Sequence, residues 1–401
     1  MEKRFHRKKY RLIIMINRDR LLKTFTHLAG IDSVSKNEGR ICREISAILE
    51  SMGAETFVDN AGEKTGSNTG NLIVRFKGKT KCPPLLLNAH MDTVNPGKGI
   101  SVIFKDGILS SDGTTILGAD DKSAIAIIIE TIRILQENNL EYGQLELVFT
   151  ICEEIGLLGA KHLDHSLITA KYGYTLDAAD TEGIVTRTPA ANRIEFKIHG
   201  KDAHAGAAPE KGINAICLAS KAIASLDTGR IDHETTCNIG RIEGGIATNI
   251  VPGMVTVKGE VRSHDKEKLK KITAEIVSSF KNVVDNYKNP VSDDELPYLK
   301  ISIENDFSLT NIPDDNPVVT IARKAAENLG RNMTSKISGG GTDANIFFKK
   351  GITLGVLGTG MRDMHTVRES VKLDDMVRTV ELLLEIIRIH SKERGRNNFP
   401  K

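Results

Sequence analysis

Five short polar clusters interrupt the apolar stretches of this sequence, and each carries residues able to bind a cation or move a proton. His90 and Asp92 follow Leu85-Leu86-Leu87-Asn88. In an H-x-D pair the imidazole can ligate a metal while the aspartate accepts the second ring N–H and fixes the tautomer. Asp120 and Asp121 precede an apolar run that starts at Ala124. Either acid alone reads as a helix cap, but two adjacent acids ahead of so apolar a helix also fit a cation site. Glu153 and Glu154 close the run Leu145–Ile151. Adjacent carboxylates repel and are costly to bury without a counter-charge. A metal would supply that charge, with one Glu as ligand and the other free as a base. Asp177 ends the run Tyr172–Leu176, and His365 follows Gly360-Met361-Arg362-Asp363-Met364. Each cluster has a structural explanation when taken singly. Together they supply His, Asp, Glu, Asp and His, the hard and borderline ligands of a two-metal site.

Such residues need strand ends to hold them, because ligand sites in open α/β sheets gather beyond the carboxyl ends of strands. The spacing predicts strands over 71–76, 85–88, 145–151, 172–176 and 352–357. It predicts helices over 41–52, 124–135, 159–163, 317–329, 343–349 and 373–392. Ser35 and Glu38 have the spacing of a capping box for the first of these helices. The alternation implies an α/β fold, a mostly parallel sheet covered by helices on both faces. A second pattern reads strand 190–199, helix 212–225, strands 234–243 and 254–263, helix 266–287 and strand 298–306. This β-α-β-β-α-β order is a split-βαβ unit of the ferredoxin type. An Asn289-Pro290 turn and an acidic loop over 293–295 interrupt it. The expected organisation is one discontinuous α/β domain over 17–186 and 310–401, with an inserted domain over 187–309.

The motifs His90-Met91-Asp92-Thr93-Val94, Gly118-Ala119-Asp120-Asp121-Lys122, Glu153-Glu154-Ile155-Gly156, Thr175-Leu176-Asp177 and His365-Thr366-Val367 occur in this order. In them the chain, from about residue 17 to its C-terminus, resembles the co-catalytic zinc peptidases of the aminoacylase, carboxypeptidase and tripeptidase family. The peptidase T-like members are the nearest type. The resemblance implies a zinc-exopeptidase fold and two divalent metal ions per subunit, zinc first, with cobalt or manganese also suited to these ligands. It implies that Asp120 bridges the metals, that Glu154 and His365 complete one site, and that His90 and Asp177 complete the other. Asp92 would orient His90. Glu153 would be the general base, taking a proton from the metal-bridging water and delivering it to the leaving amine. A cis peptide after Asp120 is also implied. The implied activity is an aminopeptidase acting on tripeptides. The alternative is a sister dimetal amidohydrolase, an N-acyl amino acid deacylase or a dipeptidase or carboxypeptidase. A catalytically dead scaffold is a further reading, which retention of Glu153 with the full ligand set opposes.

The inserted domain would be a dimerisation or lid domain making a homodimer. His204, in Lys201-Asp202-Ala203-His204-Ala205-Gly206, resembles the histidine that reaches the partner's site and steadies the oxyanion. Asn249, Arg262 and Gly340 resemble substrate-binding positions, and the planar fork of Arg262 suits a carboxylate. Read without the motifs, they are a loop histidine, a turn former and a surface pair. One departure stands out: an Arg commonly precedes the Gly-Gly-Thr-Asp run in tripeptidases of this kind, and here that position is Gly339. The metal chemistry is untouched by it; the tripeptide preference is left open.

Composition narrows the partners. Residues 1–20 hold eight Lys/Arg and two acids, whereas the rest of the 401-residue chain holds 47 and 50, so the formal net charge of +3 belongs to the tail. Without a basic face in the body, nucleic acid is not an expected partner. The longest apolar runs, such as Ala124–Ile129, are too short to span a bilayer, and no membrane association is expected. Residues 1–16 read as a basic, disordered extension with Met15 as a candidate start; its apolar stretch is too short for a signal peptide. Five scattered cysteines without a C-x-x-C spacing point to reduced thiols and a cytoplasmic protein.

Overall fold

The computed structural model describes residues 16–288 and 295–392. The chain divides into two units. The first comprises residues up to Thr186, Asn311–Ile337 and the chain from Thr342; the second comprises Arg187–Thr310 and Ser338–Gly341.

The first unit is built on four parallel strands, side by side in the order Leu145–Thr150, Leu85–His90, Tyr172–Ala178 and Thr353–Gly358. Leu72–Phe76 and then Glu55–Val58 extend one edge antiparallel, and Gly183–Thr188 pairs antiparallel at the other. The sheet is therefore mixed rather than mostly parallel. Residues 179–182 alone join Ala178 to Gly183, and so short a link has no room for the crossover that a parallel return needs. A separate four-stranded antiparallel sheet includes Val102–Lys105, Ile108–Ser111, Met361–Arg362 and Ser370–Lys372. These short, half-exposed strands lack the apolar runs that would reveal them in the sequence.

Helix Ala119–Glu137 is buried along nearly its whole length, as its all-round apolar sequence demands, and packs on the central strands. Helix Leu373–Lys392 packs against it and against Pro317–Asn328, which begins with Pro after the capping Asn316. Two expectations fail locally. Helix Gly39–Ser51 has no side-chain cap, because Ser35 and Glu38 bond elsewhere. Ile16, placed in the basic extension, is buried in the core, and Asn17 caps a helix over Arg18–Ala29. The rest of that extension lies outside the described residues, as does the turn at 289–290.

The second unit runs strand Ala190–His199, helix Ala215–Ala224, strands Thr235–Gly244 and Met254–Ser263, helix Lys266–Asp285 and strand Tyr298–Phe307. Its antiparallel sheet is ordered Thr235–Gly244, Met254–Ser263, Ala190–His199, Tyr298–Phe307, with Gly229–Arg230 on the outer edge of the first. Leu269, Thr273, Ile276, Phe280 and Val284 line the buried stripe of the longer helix, and Phe280 stacks on Phe196 of the sheet at 3.8 Å. Ser338–Gly341, read as part of the α/β domain, belongs to this unit. The Ser338 N–H donates to the Arg187 carbonyl at 2.9 Å. Gly341 lies so close to the Phe307 ring that a Cβ would meet it at 2.6 Å. No helix among the described residues is long and apolar enough to cross a membrane.

Candidate metal centre

The parallel register of the first unit brings three carboxyl ends level. His90 pairs with Thr150 in register, three residues before Glu153, and Asn88 pairs with Thr175, two residues before Asp177. Asp120 comes from the turn that opens helix Ala119–Glu137, and its peptide bond to Asp121 is cis. His365 comes from the loop between Met361–Arg362 and Ser370–Lys372, in a left-handed conformation with φ +63°.

These side chains converge on Asp120. His90 Nε2 lies 3.0 Å from Asp120 Oδ1, and His365 Nε2 lies 3.2 Å from Asp120 Oδ2. His365 Nε2 also lies 3.0 Å from Glu154 Oε2. Potential ligand atoms of His90, Asp120 and Glu154 lie within 4.8 Å of one another, as do those of Asp120, Asp121 and Asp177. His365 is half-exposed, so this end of the cluster opens to solvent.

Asp92 holds His90 differently from the expectation. His90 Nδ1 is 2.9 Å from the Asp92 main-chain carbonyl and 3.5 Å from its carboxylate. The carboxylate instead accepts the Glu153 N–H at 2.8 Å, the Glu154 N–H at 3.3 Å and the Ser35 hydroxyl at 2.6 Å. Glu38 accepts the Cys152 N–H at 2.9 Å. The two residues expected to cap a helix thus brace the turn that carries Glu153 and Glu154.

The electrostatics are those of an anionic cage. Burial, then Asp120, pushes Asp177 well above the usual carboxylate range. Burial likewise lifts Glu153 well above that range, and Glu154 and Asp121 also rise. Burial opposes a charge on Asp120 too, but hydrogen bonds from His365 and His90 win and hold it well below. His365 is raised to about 10 by Asp120 and Glu154. Asp121 Oδ1 and Glu154 Oε1 are buried with no hydrogen-bond partner among the described residues. Orphaned oxygens are costly to bury, and oxygens with imidazole nitrogens around one carboxylate are the donor set that borderline divalent cations take. The residues present fit metal ions.

The substrate-binding candidates all lie in the second unit. His204 and Asn249 are neighbours: Ala203–His204 pairs with Ile250–Val251, and the Ala205 N–H donates to the Asn249 carbonyl at 2.9 Å. His204 Nδ1 accepts the Gly206 and Ala207 N–H groups at 3.2 and 3.1 Å. Arg262 donates through Nε and Nη2 to Glu260 at 2.9 and 3.1 Å and through Nη1 to the Gly339 carbonyl at 3.4 Å, beside Gly340.

A sequence profile of peptidase family M20/M25/M40 matches residues 86–389. The chain belongs to this family. It is 40% identical over 374 residues to the uncharacterized protein YqjE of Bacillus subtilis strain 168, covering 93% of this chain and 99% of that one. The crystal structure of aminopeptidase PepT from Bacillus cereus ATCC 10987 shares 40% identity at a TM-score of 0.83, covering 94% of this chain and 100% of that one. A tripeptidase from Staphylococcus aureus subsp. aureus Mu50 shares 36% identity at a TM-score of 0.87, with the same coverage. The resemblance to peptidase T-like M20 enzymes holds, and the chain is a metallopeptidase of that family.

Several buried groups of this M20 centre escaped the sequence reading. Glu369 accepts the N–H groups of Leu117 and Gly118 at 2.8 and 2.7 Å and that of Asp120 at 2.9 Å. Asp343 accepts the Thr150 hydroxyl and the Asn88 amide, has no partner for Oδ1 among the described residues, and is raised to about 6 by burial. Lys122 is fully buried and donates to the Ile31 carbonyl at 2.6 Å. Lys122 lay within a quoted motif and Asp343 ends the Gly-Gly-Thr-Asp run, but nothing in their types distinguished ligand from support.

Proposed function

We propose that this chain is an aminopeptidase that releases the N-terminal residue of short peptides, tripeptides foremost, with two zinc ions whose sites also suit cobalt or manganese. The observation that carries this reading is the setting of Asp120, whose two oxygens each face a different imidazole. Asp120 would bridge the ions, Glu154 and His365 would complete one site, and His90 and Asp177 the other. When bound, the ions lower the pKa of water and polarise the peptide carbonyl. Glu153 takes the proton of the attacking water and hands it to the leaving amine. Burial raises Glu153 well above the usual carboxylate range in the metal-free chain, and cations beside it would draw it back toward the ionised form that a base needs. Asp92 is a positioning residue: its carbonyl sets the His90 ring and its carboxylate sets Glu153.

The second unit is taken as a ferredoxin-like lid that also makes the homodimer. Beyond its short pairing with Gly229–Arg230, the strand Thr235–Gly244 has an outer edge with no partner strand among the described residues. Ile242 and Ile246 nearby are 48% and 79% exposed. An open edge with apolar neighbours is a template for a second chain. Two N–H groups donated to His204 Nδ1 put the ring proton on Nε2, the tautomer that can donate to an oxyanion in the partner's site. Free thiols at all five cysteines support a cytoplasmic setting.

Glu260 takes the Nε/Nη2 edge of Arg262 and the Gly339 carbonyl one hydrogen of Nη1, which leaves one hydrogen each on Nη1 and Nη2 for the substrate carboxylate. Arg262→Ala is expected to raise KM for tripeptides by about 10- to 100-fold, the range of a lost hydrogen bond to a charged group, with kcat little changed. C-terminally amidated peptides should show a smaller effect. An equal effect on both would remove Arg262 from carboxylate binding.

Digestion of a peptide panel by the metal-reconstituted protein, with product masses recorded, tests the whole reading. Release of single N-terminal residues from tripeptides is expected. Gly339, where an Arg was expected, favours the sister amidohydrolase as the second reading. Silence on all peptides with turnover of an N-acyl amino acid would establish it.

A further inference from the structure

His90 and Asp177 sit on strands of the central sheet, and Glu154 comes four residues after the end of one. Asp120 comes from a turn outside the paired strands and His365 from the loop that the short pairing of Met361–Arg362 with Ser370–Lys372 closes, and the two side chains stand 3.2 Å apart. Glu369 spans these two turns. It is 1% exposed, and its carboxylate takes three N–H groups of the Asp120 turn, at Leu117, Gly118 and Asp120. These donors come before Lys122, whose N–H bonds the Gly118 carbonyl, and so have no carbonyl of helix Ala119–Glu137 to bond. At its other end Glu369 is locked to the His365 loop. Its N–H donates to the Thr366 carbonyl at 3.0 Å, and the Thr366 hydroxyl donates to the Asp363 carbonyl at 2.8 Å and accepts the Arg368 N–H at 3.1 Å.

We propose that Glu369 is a positioning residue that fixes the spacing of Asp120 and His365 and so sets the affinity of one of the two cation sites. The inference rests on the dimetal reading above. A carboxylate has acceptors on both oxygens for the three N–H groups. A glutamine has one such oxygen, and its NH2 must face an N–H. Glu369→Gln therefore loosens the Asp120 turn without a change of size. Outer-shell partners of metal ligands are worth about 10- to 100-fold in affinity.

Glu146 provides a matched control. It is also a fully buried carboxylate, and it accepts the Thr169 and Ala170 N–H groups at 2.9 Å each, far along the strand from Glu154. Zinc titrations with native mass spectrometry would count ions per chain for wild type, Glu369→Gln and Glu146→Gln. The expected result is two ions on wild type and Glu146→Gln. On Glu369→Gln one ion should bind about 10- to 100-fold more weakly, with anomalous scattering placing the loss at the His365 side. Activity of that variant should recover as zinc is raised. Glu369→Asp, which keeps both oxygens on a shorter arm, should be intermediate and gives the same comparison if the Gln variant does not accumulate. Two ions of wild-type affinity on Glu369→Gln, or equal loss on Glu146→Gln, would overturn the proposal. Fewer than two ions on wild type would instead overturn the dimetal reading.

Discussion

Glu153→Gln should lower kcat by about 10³-fold, within the range general acid–base groups contribute, and leave KM and metal content nearly unchanged. Glu153 belongs to neither set of converging ligand atoms, so its loss should not release a cation. Its main chain is held by Asp92, and its side chain is lifted well above the usual carboxylate range by burial and by Asp177, Asp343 and Glu154. A glutamine fills the same space but cannot take the proton. Glu153→Ala should behave the same way, with slightly more change in KM. Parallel measurement of kcat and bound zinc decides the matter. Retained metal with kcat within tenfold of wild type would move the base elsewhere, and Asp343 is the next buried carboxylate to examine. Loss of metal together with activity would make Glu153 a ligand.

The convergence of the candidate ligands was legible because each follows an apolar strand or opens an apolar helix. Strand ends are dictated by hydrophobic runs, and Leu85–His90, Leu145–Thr150 and Tyr172–Ala178 place His90, Glu154 and Asp177 at one edge by register alone. The family relationship rests on the same motifs. What stayed hidden was the support. Ser35 and Glu38 have the spacing of a cap, and only the tertiary approach of Asp92 and Cys152 diverts them. Glu369 lies 249 residues from the N–H of Asp120 that it accepts, and no local pattern encodes such a partner. Of the antiparallel flanks, Leu72–Phe76 was legible as a strand, but Glu55–Val58 was missed for a related reason. Strands such as Glu55–Val58 are short and mostly exposed, so they carry no hydrophobic period to read. Ser338–Gly341 joins the second unit through the fit of a glycine against Phe307, which composition does not announce.

Removal of the metal ions should abolish activity and destabilise one unit selectively. Asp92, Asp120, Asp121, Glu153, Glu154 and Asp177 all belong to the first unit, and without cations His90 and His365 are the basic side chains seen to pair with them among the described residues. A ligand held at about 1,000 times its Kd adds about 4 kcal/mol to the folded state. For a unit of this size that is about 10 °C in melting temperature. Calorimetry with and without a chelator should show the first unit's transition falling by about that amount while the second unit's transition stays in place. The pH dependence has a definite sign. Glu154 and Asp177 have folded values raised above the ordinary carboxylate range in the metal-free chain. Their contribution to metal-free stability is therefore complete below that range and is lost as pH rises through the raised values. Cations remove this penalty, and protons compete with them, so the chelator-induced drop should widen from acid toward neutral pH. Asp120→Asn should melt at one temperature with or without chelator, since the two proposed sites would lose the ligand they share. A wild-type first transition insensitive to chelation would mean that this cage of carboxylates is balanced by something other than metal.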